Sequence, residues 1–146
     1  MTKTFDMQLM RYINLFGRIS GISANHCFIY NNTIVFVVPS QFVQRAIGKD
    51  NNNLKKLSGI LAKRIRVLAE PKGMKDLKNF VSVLVSPVTF EKLEVIENAE
   101  TKEKETVITT GGMESKAMLI GRGRAREAEL KEILEQYFEI KNLRIN

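Results

Sequence analysis

The apolar positions in the first half of the chain change their spacing several times, and each change marks a predicted element. Phe5, Leu9 and Ile13 recur at the spacing of one helix face. Two β-branched and aromatic runs follow, and Asn31-Asn32 between them tolerates positive φ, which predicts a hairpin. The pattern predicts a helix over 5–19, strands over 27–30 and 33–38, helices over 42–47 and 54–61, and a strand over 65–68.

The second half repeats this order of elements, which indicates one α+β module used twice. Pro71-Lys72-Gly73 punctuates the chain where the first unit is expected to end. The acidic and lysine-rich segment 97–105 is typical of a solvated hairpin tip. We predict a helix over 77–84, whose end is equally typical of a strand, strands over 88–97 and 103–109, a helix through Met118, a helix with Leu130, Ile133, Leu134 and Phe138 on its apolar side, and a strand over 143–145.

A glycine-led basic stretch stands between two helices in each half, at 47–51 and at 120–124, and the two stretches are 73 positions apart. Glycine lets a backbone approach a sugar-phosphate chain closely, and the following helix offers free N–H groups and a favourable dipole to phosphate. A single loop of this kind is far more often a plain helix-helix turn. Its duplication favours the prediction that both loops bind phosphate.

The net positive charge of the chain is confined to its first half. The net charge is +7, and residues 1–70 carry ten Lys and Arg against three Asp and Glu, whereas residues 71–146 carry thirteen of each. Such an excess attracts polyanions by counterion release, although it also suits an anionic membrane or solubility alone. We therefore expect the first module to dominate nucleic-acid binding, through Lys49, Lys55 and Lys56.

This chain lacks the residues that characterise several classes of protein. A single cysteine, Cys27, excludes an internal disulfide and predicts a reducing compartment, the cytoplasm. His26 and Cys27 face opposite ways on a strand, which disfavours a metal site or a nucleophile-base pair. The segment 111–116 lacks the spacing of a nucleotide phosphate loop. The sequence predicts a non-catalytic binding protein without cofactor or metal, and neither a signal peptide nor a membrane span.

Ala46-Ile47-Gly48-Lys49 and Leu119-Ile120-Gly121-Arg122, each between two helices, resemble the glycine loop of the type II KH domain. The resemblance covers nearly the whole chain and implies two tandem type II KH domains, 1–70 and 71–146, each ordered helix-strand-strand-helix-helix-strand. The paired units resemble the KH region of the NusA family of transcription factors, especially its short archaeal members. The resemblance implies an RNA-binding protein that binds single-stranded nascent RNA and modulates transcription elongation or termination, with RNA polymerase as a further partner.

Both loops depart from the KH pattern at the position of the second glycine. Asn51 suits positive φ, but Asp50 beside it places a negative charge near the phosphate path. Arg124 suits positive φ poorly, yet it adds a phosphate-binding guanidinium. The implied RNA-binding residues are Gln44, Arg45, Ile47, Gly48, Lys49, Asn51, Asn53, Lys55, Lys56, Gly121, Arg122, Gly123, Arg124 and Arg126. The alternative is a protein adaptor or ribosome-associated KH protein whose degenerate loops no longer bind RNA.

Overall fold

The structure, a computed structural model, describes residues 7–146. The chain divides into two compact units, and the boundary lies between Glu70 and Pro71. The helix expected over 5–19 is present from Met7, and the contribution expected of Phe5 lies outside the described residues. The architecture is α+β, as predicted, with two three-stranded sheets that are compatible with KH-type domains.

The first unit packs three helices against one sheet. Phe16 and Phe36 stack at the centre of its core, with ring centroids 4.3 Å apart, and Leu57 is fully buried beside them. The middle strand pairs antiparallel with the first strand and parallel with the third. The elements are α1 (Met7–Ser20), β1 (His26–Tyr30), β2 (Thr33–Val38), α2 (Val43–Ile47), α3 (Asn52–Leu61) and β3 (Arg64–Ala69).

The second unit has the same order and the same strand directions. Its middle strand pairs antiparallel with one neighbour and parallel with the other. Leu119, Leu130 and Leu134 are buried, because the apolar stripes of the two helices that flank the loop face the interior. The elements are α4 (Leu77–Val85), β4 (Lys92–Glu97), β5 (Lys104–Thr109), α5 (Met113–Ile120), α6 (Ala125–Phe138) and β6 (Asn142–Ile145).

Two uncertain segments of the second unit are resolved by the structure. The segment after Pro71-Lys72-Gly73 is helical through Val85, so the helix is confirmed and the strand alternative is wrong. The strand expected over 88–97 begins only at Lys92, because the last residue of β5, Thr109, pairs with Lys92 and no ladder partner remains for the preceding residues. Expected boundaries elsewhere differ by a few residues, as is usual at element ends.

Candidate nucleic-acid interface

A four-residue loop joins two helices in each unit. The first loop, 48–51, lies between the end of α2 at Ile47 and the start of α3 at Asn52. The second loop, 121–124, lies between the end of α5 at Ile120 and the start of α6 at Ala125. Each loop therefore leads straight into the N-terminus of a helix, where backbone N–H groups lack partners within the helix.

The first residue of each loop must be glycine. Gly48 has φ 85° and ψ 166°, and Gly121 has φ 77° and ψ 169°, a combination that is adopted almost only by glycine. A Cβ on Gly48 would also lie 2.9 Å from the Asn53 amide nitrogen, and one on Gly121 would lie 2.9 Å from Arg126. Gly48 corresponds to Gly121, and Asn53 corresponds to Arg126, so both units contain the same close approach.

The last two residues of each loop are left-handed. In the first loop Asp50 has φ 54° and Asn51 has φ 60°, and in the second loop Gly123 has φ 61° and Arg124 has φ 63°. Arg124 was expected to fit positive φ poorly, yet it adopts the same conformation as Asn51. A non-glycine residue in this region costs roughly 1–2 kcal/mol, which the surrounding structure must offset.

The same backbone hydrogen bonds hold the two loops. In each, the N–H of the glycine at the first position donates to the carbonyl four residues earlier, and the N–H of the last residue donates to the carbonyl of that glycine. The four bonds are Gly48 to Gln44 at 3.0 Å, Asn51 to Gly48 at 3.2 Å, Gly121 to Ala117 at 2.9 Å, and Arg124 to Gly121 at 3.1 Å. The two loops thus have one shape despite the different residues at their last two positions.

The first loop carries cations that project from the protein. Lys49 in the loop and Lys55 and Lys56 in the first turns of α3 are exposed. The N-terminus of α3 has no side-chain cap and no acidic residue in its first turn. Its free N–H groups and the three ammonium groups therefore favour an anion on one short segment, against the single opposing carboxylate of the exposed Asp50.

The remaining first-unit candidates lie on both sides of this loop. Gln44 and Arg45 are exposed on α2, and the Arg45 guanidinium lies 5.6 Å from the centroid of the Phe42 ring. Ile47 is half-buried against the core. The Nδ2 of Asn53 donates to the carbonyls of Ala46 at 3.1 Å and Arg45 at 3.3 Å, so its amide contacts the protein itself.

In the second loop and the start of α6, two of the cations contact other groups of the protein. The Nη1 of Arg124 lies 3.0 Å from the Oε1 of Glu127, in an ion pair whose arginine side chain is 77% exposed. The Nη1 of Arg126 donates to the carbonyl of Met118 at 3.1 Å. Arg122 is exposed in the loop. Glu127 stands in the first turn of α6, where its carboxylate lowers the positive potential that the helix start would offer to phosphate.

The shared bonds of Asn53 and Arg126 to the preceding helix were not foreseen from the sequence. Both residues stand five positions after the first glycine of their loop, and both bond to a carbonyl eight positions earlier. The spacing from the glycine is the same in both units. Because one side chain is an amide and the other a guanidinium, the sequence does not indicate a shared role. All the remaining candidates lie on the same two helix-loop-helix segments.

Residues 7–146 contain neither a cluster of metal-binding side chains nor a helix suited to cross a membrane. That part of the chain contains no group of three or more His, Cys, Asp or Glu arranged to hold a metal ion. His26 and Cys27 are both half-buried on β1. None of the described helices combines the length and apolar character that crossing a membrane requires.

Comparisons with known proteins identify a curated relative and a solved structure of similar fold. No family model matches the chain. A curated protein of Halococcus morrhuae named probable transcription termination protein NusA is 29% identical over 101 residues, which cover 69% of this chain and 70% of the relative. The crystal structure of APE1850 matches with a TM-score of 0.67 and 28% identity, covering 97% of this chain and 99% of the other. The resemblance to NusA-like proteins that the sequence indicates is thereby confirmed.

Proposed function

We propose that this chain consists of two tandem type II KH domains, 1–70 and 71–146, that bind single-stranded RNA and act in transcription elongation or termination. The observation that carries the proposal is the recurrence of one glycine-led loop conformation, in Gly48 and Gly121, at the same place in two units. A loop that only joined two helices would not require the same close approach between its glycine and the following helix in both units.

Phosphate binding at the first loop follows from its geometry and charge. Gly48 allows the backbone conformation that leads the loop directly into the N-terminus of α3. The uncapped N-terminus of α3 supplies N–H donors, and Lys49, Lys55 and Lys56 supply charge. The RNA strand would then lie with its sugar-phosphate backbone along the loop, and its bases would be unpaired and unstacked.

The bases are expected to be held beside the loop rather than by it. Ile47 leaves part of its apolar surface exposed next to Gly48, and the exposed Gln44 and Arg45 offer polar groups on the same helix. Unstacked bases can contact such an aliphatic surface and present their edges to side chains and backbone, with roughly four nucleotides per domain. This arrangement requires a single strand.

The role in transcription rests on the name of the Halococcus morrhuae relative. A factor that binds nascent RNA would work near RNA polymerase in the cytoplasm, and polymerase is accordingly proposed as a second partner. Since the loops and helix termini explain binding without a reaction centre, the proposed activity is non-catalytic. The proposed role includes both termination and antitermination.

Titration with matched oligonucleotides tests the proposal. Fluorescence anisotropy would compare one RNA sequence as a single strand and as a duplex, over a series of salt concentrations. We expect tighter binding of the single strand, because side chains cannot read the deep, narrow major groove of A-form RNA. The affinity should fall with salt at a log-log slope of about 0.7 per phosphate neutralised. Equal or tighter binding of the duplex would exclude the KH mechanism, and a salt-independent signal would favour the protein-adaptor alternative.

A further inference from the structure

The two units use different side chains for one structural task. Asn53 in the first unit and Arg126 in the second stand at corresponding positions, and each donates to the carbonyls at the end of the helix before the loop. Those carbonyls belong to the last turns of α2 and α5, where four C=O groups of any helix lack partners within the helix. Each side chain thus bridges the end of one helix to the start of the next.

The same side chains also set the closest approach to the loop glycine. The position that a Cβ of Gly48 would occupy is 3.0 Å from the Asn53 Cγ, and that of Gly121 is 2.9 Å from the Arg126 Cγ. A glycine and the residue five positions later therefore form a matched pair in each unit. The glycine leaves the space, and the later residue fills it while it bonds to the preceding helix.

We infer that Asn53 and Arg126 are positioning residues that fix the loop conformation, and that Arg126 acts through its bond to Met118 rather than as a phosphate ligand. The inference rests on the proposed function for its effect on RNA binding. Its structural part concerns the protein alone. A long cation at position 126 and a short neutral amide at position 53 make the same kind of bond, so the shared property is the N–H donor and not the charge.

A matched pair of substitutions separates the donor from the charge. Arg126→Gln and Arg126→Met both remove the charge and have similar length, but only glutamine keeps an N–H donor. Asn53 shows that a short amide can reach a carbonyl of the preceding helix from this position. Both replacements are good helix formers, so α6 is not otherwise perturbed.

Amide hydrogen exchange without RNA provides the first measurement on the full chain. The reporters are the N–H groups of Gly121 and Arg124, which hold the second loop. We expect Arg126→Met to accelerate their exchange by about tenfold, the factor for one hydrogen bond near the upper end of the usual net strength. Arg126→Gln should remain within about threefold of the unmodified protein. Equal exchange rates in the two variants would overturn the inference.

The first unit supplies an independent second variant. Asn53→Leu removes the donor at nearly constant size and should accelerate exchange of the Gly48 and Asn51 amides by about tenfold, with Asn53→Gln as its control. If Asn53→Leu left exchange of those amides unchanged while circular dichroism reported an intact fold, the positioning role would be excluded for the first loop.

RNA titration of the Arg126 pair then distinguishes positioning from direct contact. If Arg126 is a positioning residue, Arg126→Gln should retain most of the affinity that Arg126→Met loses, and the salt slope should be the same in both variants. A phosphate ligand predicts equal losses in both variants and a salt slope lower by about 0.7, and that result would overturn the inference. If the unmodified chain bound no RNA, the proposed function would fail, whereas the exchange rates would still decide the positioning role.

Discussion

Reversing the charge of Lys49 should weaken RNA binding strongly without disturbing the loop. Lys49 is exposed at the second position of the first loop, and it is outside the positive-φ region that its neighbours Gly48, Asp50 and Asn51 occupy. Lys49→Glu therefore adds no backbone strain and removes no bond of the core. The substitution changes only the charge offered to a phosphate.

The expected loss follows from the contact that the ammonium group would make. A hydrogen bond to a charged group contributes about 1.5–3 kcal/mol, and each 1.4 kcal/mol changes the dissociation constant about tenfold. Repulsion between the new carboxylate and a phosphate at about 4 Å adds on the order of 1 kcal/mol in water. We expect Lys49→Glu to weaken binding at least about tenfold at low salt and to lower the log-log salt slope by about 0.7.

Two matched variants separate a local contact from the general field of the protein. Arg11→Glu makes the same charge change at an exposed site on α1 of the same unit, and it should cost less than about threefold. Arg122→Glu makes the change at the corresponding position of the second loop. It should cost less than Lys49→Glu, because Glu127 already lowers the potential at the start of α6.

Anisotropy titrations at several salt concentrations, with circular dichroism as the check on folding, measure all three variants. A loss from Arg11→Glu as large as that from Lys49→Glu would show that only the overall charge matters. A larger loss from Arg122→Glu would show that the second loop is the main RNA site. Either result would refute the assignment of the first loop as the dominant phosphate site.

Two further predictions concern the backbone of the second loop and are measured by denaturant unfolding of the full chain. Gly121→Ala should cost more than Gly123→Ala, about 1–3 kcal/mol against about 1 kcal/mol, because only the first Cβ would meet Arg126; equal costs would contradict the steric argument. Arg124→Gly should change stability by less than about 1 kcal/mol, because relief of left-handed strain offsets the lost ion pair with Glu127 and the added freedom of the unfolded chain. A loss well above that value would show that the ion pair stabilises the unit more than an exposed pair should.

Local signals in the sequence were sufficient where turns enclose an element. The boundaries of β2 were predicted as Thr33–Val38, because Asn31-Asn32 enters the strand with φ of 52° and 57° and Pro39 follows it. The strand expected from residue 88 fails for a reason that periodicity cannot reveal. A strand lasts only as long as its partner, and Thr109 ends the partner of Lys92.

The candidate site was predictable in its charges and glycines but not in its internal bonds. The loop positions and the exposed cations follow from local composition, and the structure places them as expected at helix termini. Whether a polar side chain turns to solvent or back to the protein depends on how two helices meet. The sequence therefore predicts Asn53 and Arg126 as RNA ligands, but it does not predict the bond that each donates to the end of the preceding helix.

The conformation of the loops bears directly on the adaptor alternative. That alternative drew its support from the replacement of the second glycine by Asn51 and Arg124, since a collapsed loop could not receive phosphate. Both residues instead adopt φ near +60°, and the two loops share their hydrogen bonds. A strained backbone persists only where the surrounding structure holds it. The missing glycines therefore give no ground for expecting lost binding, and the choice between RNA and protein partners turns on charge, which the Lys49→Glu titration measures.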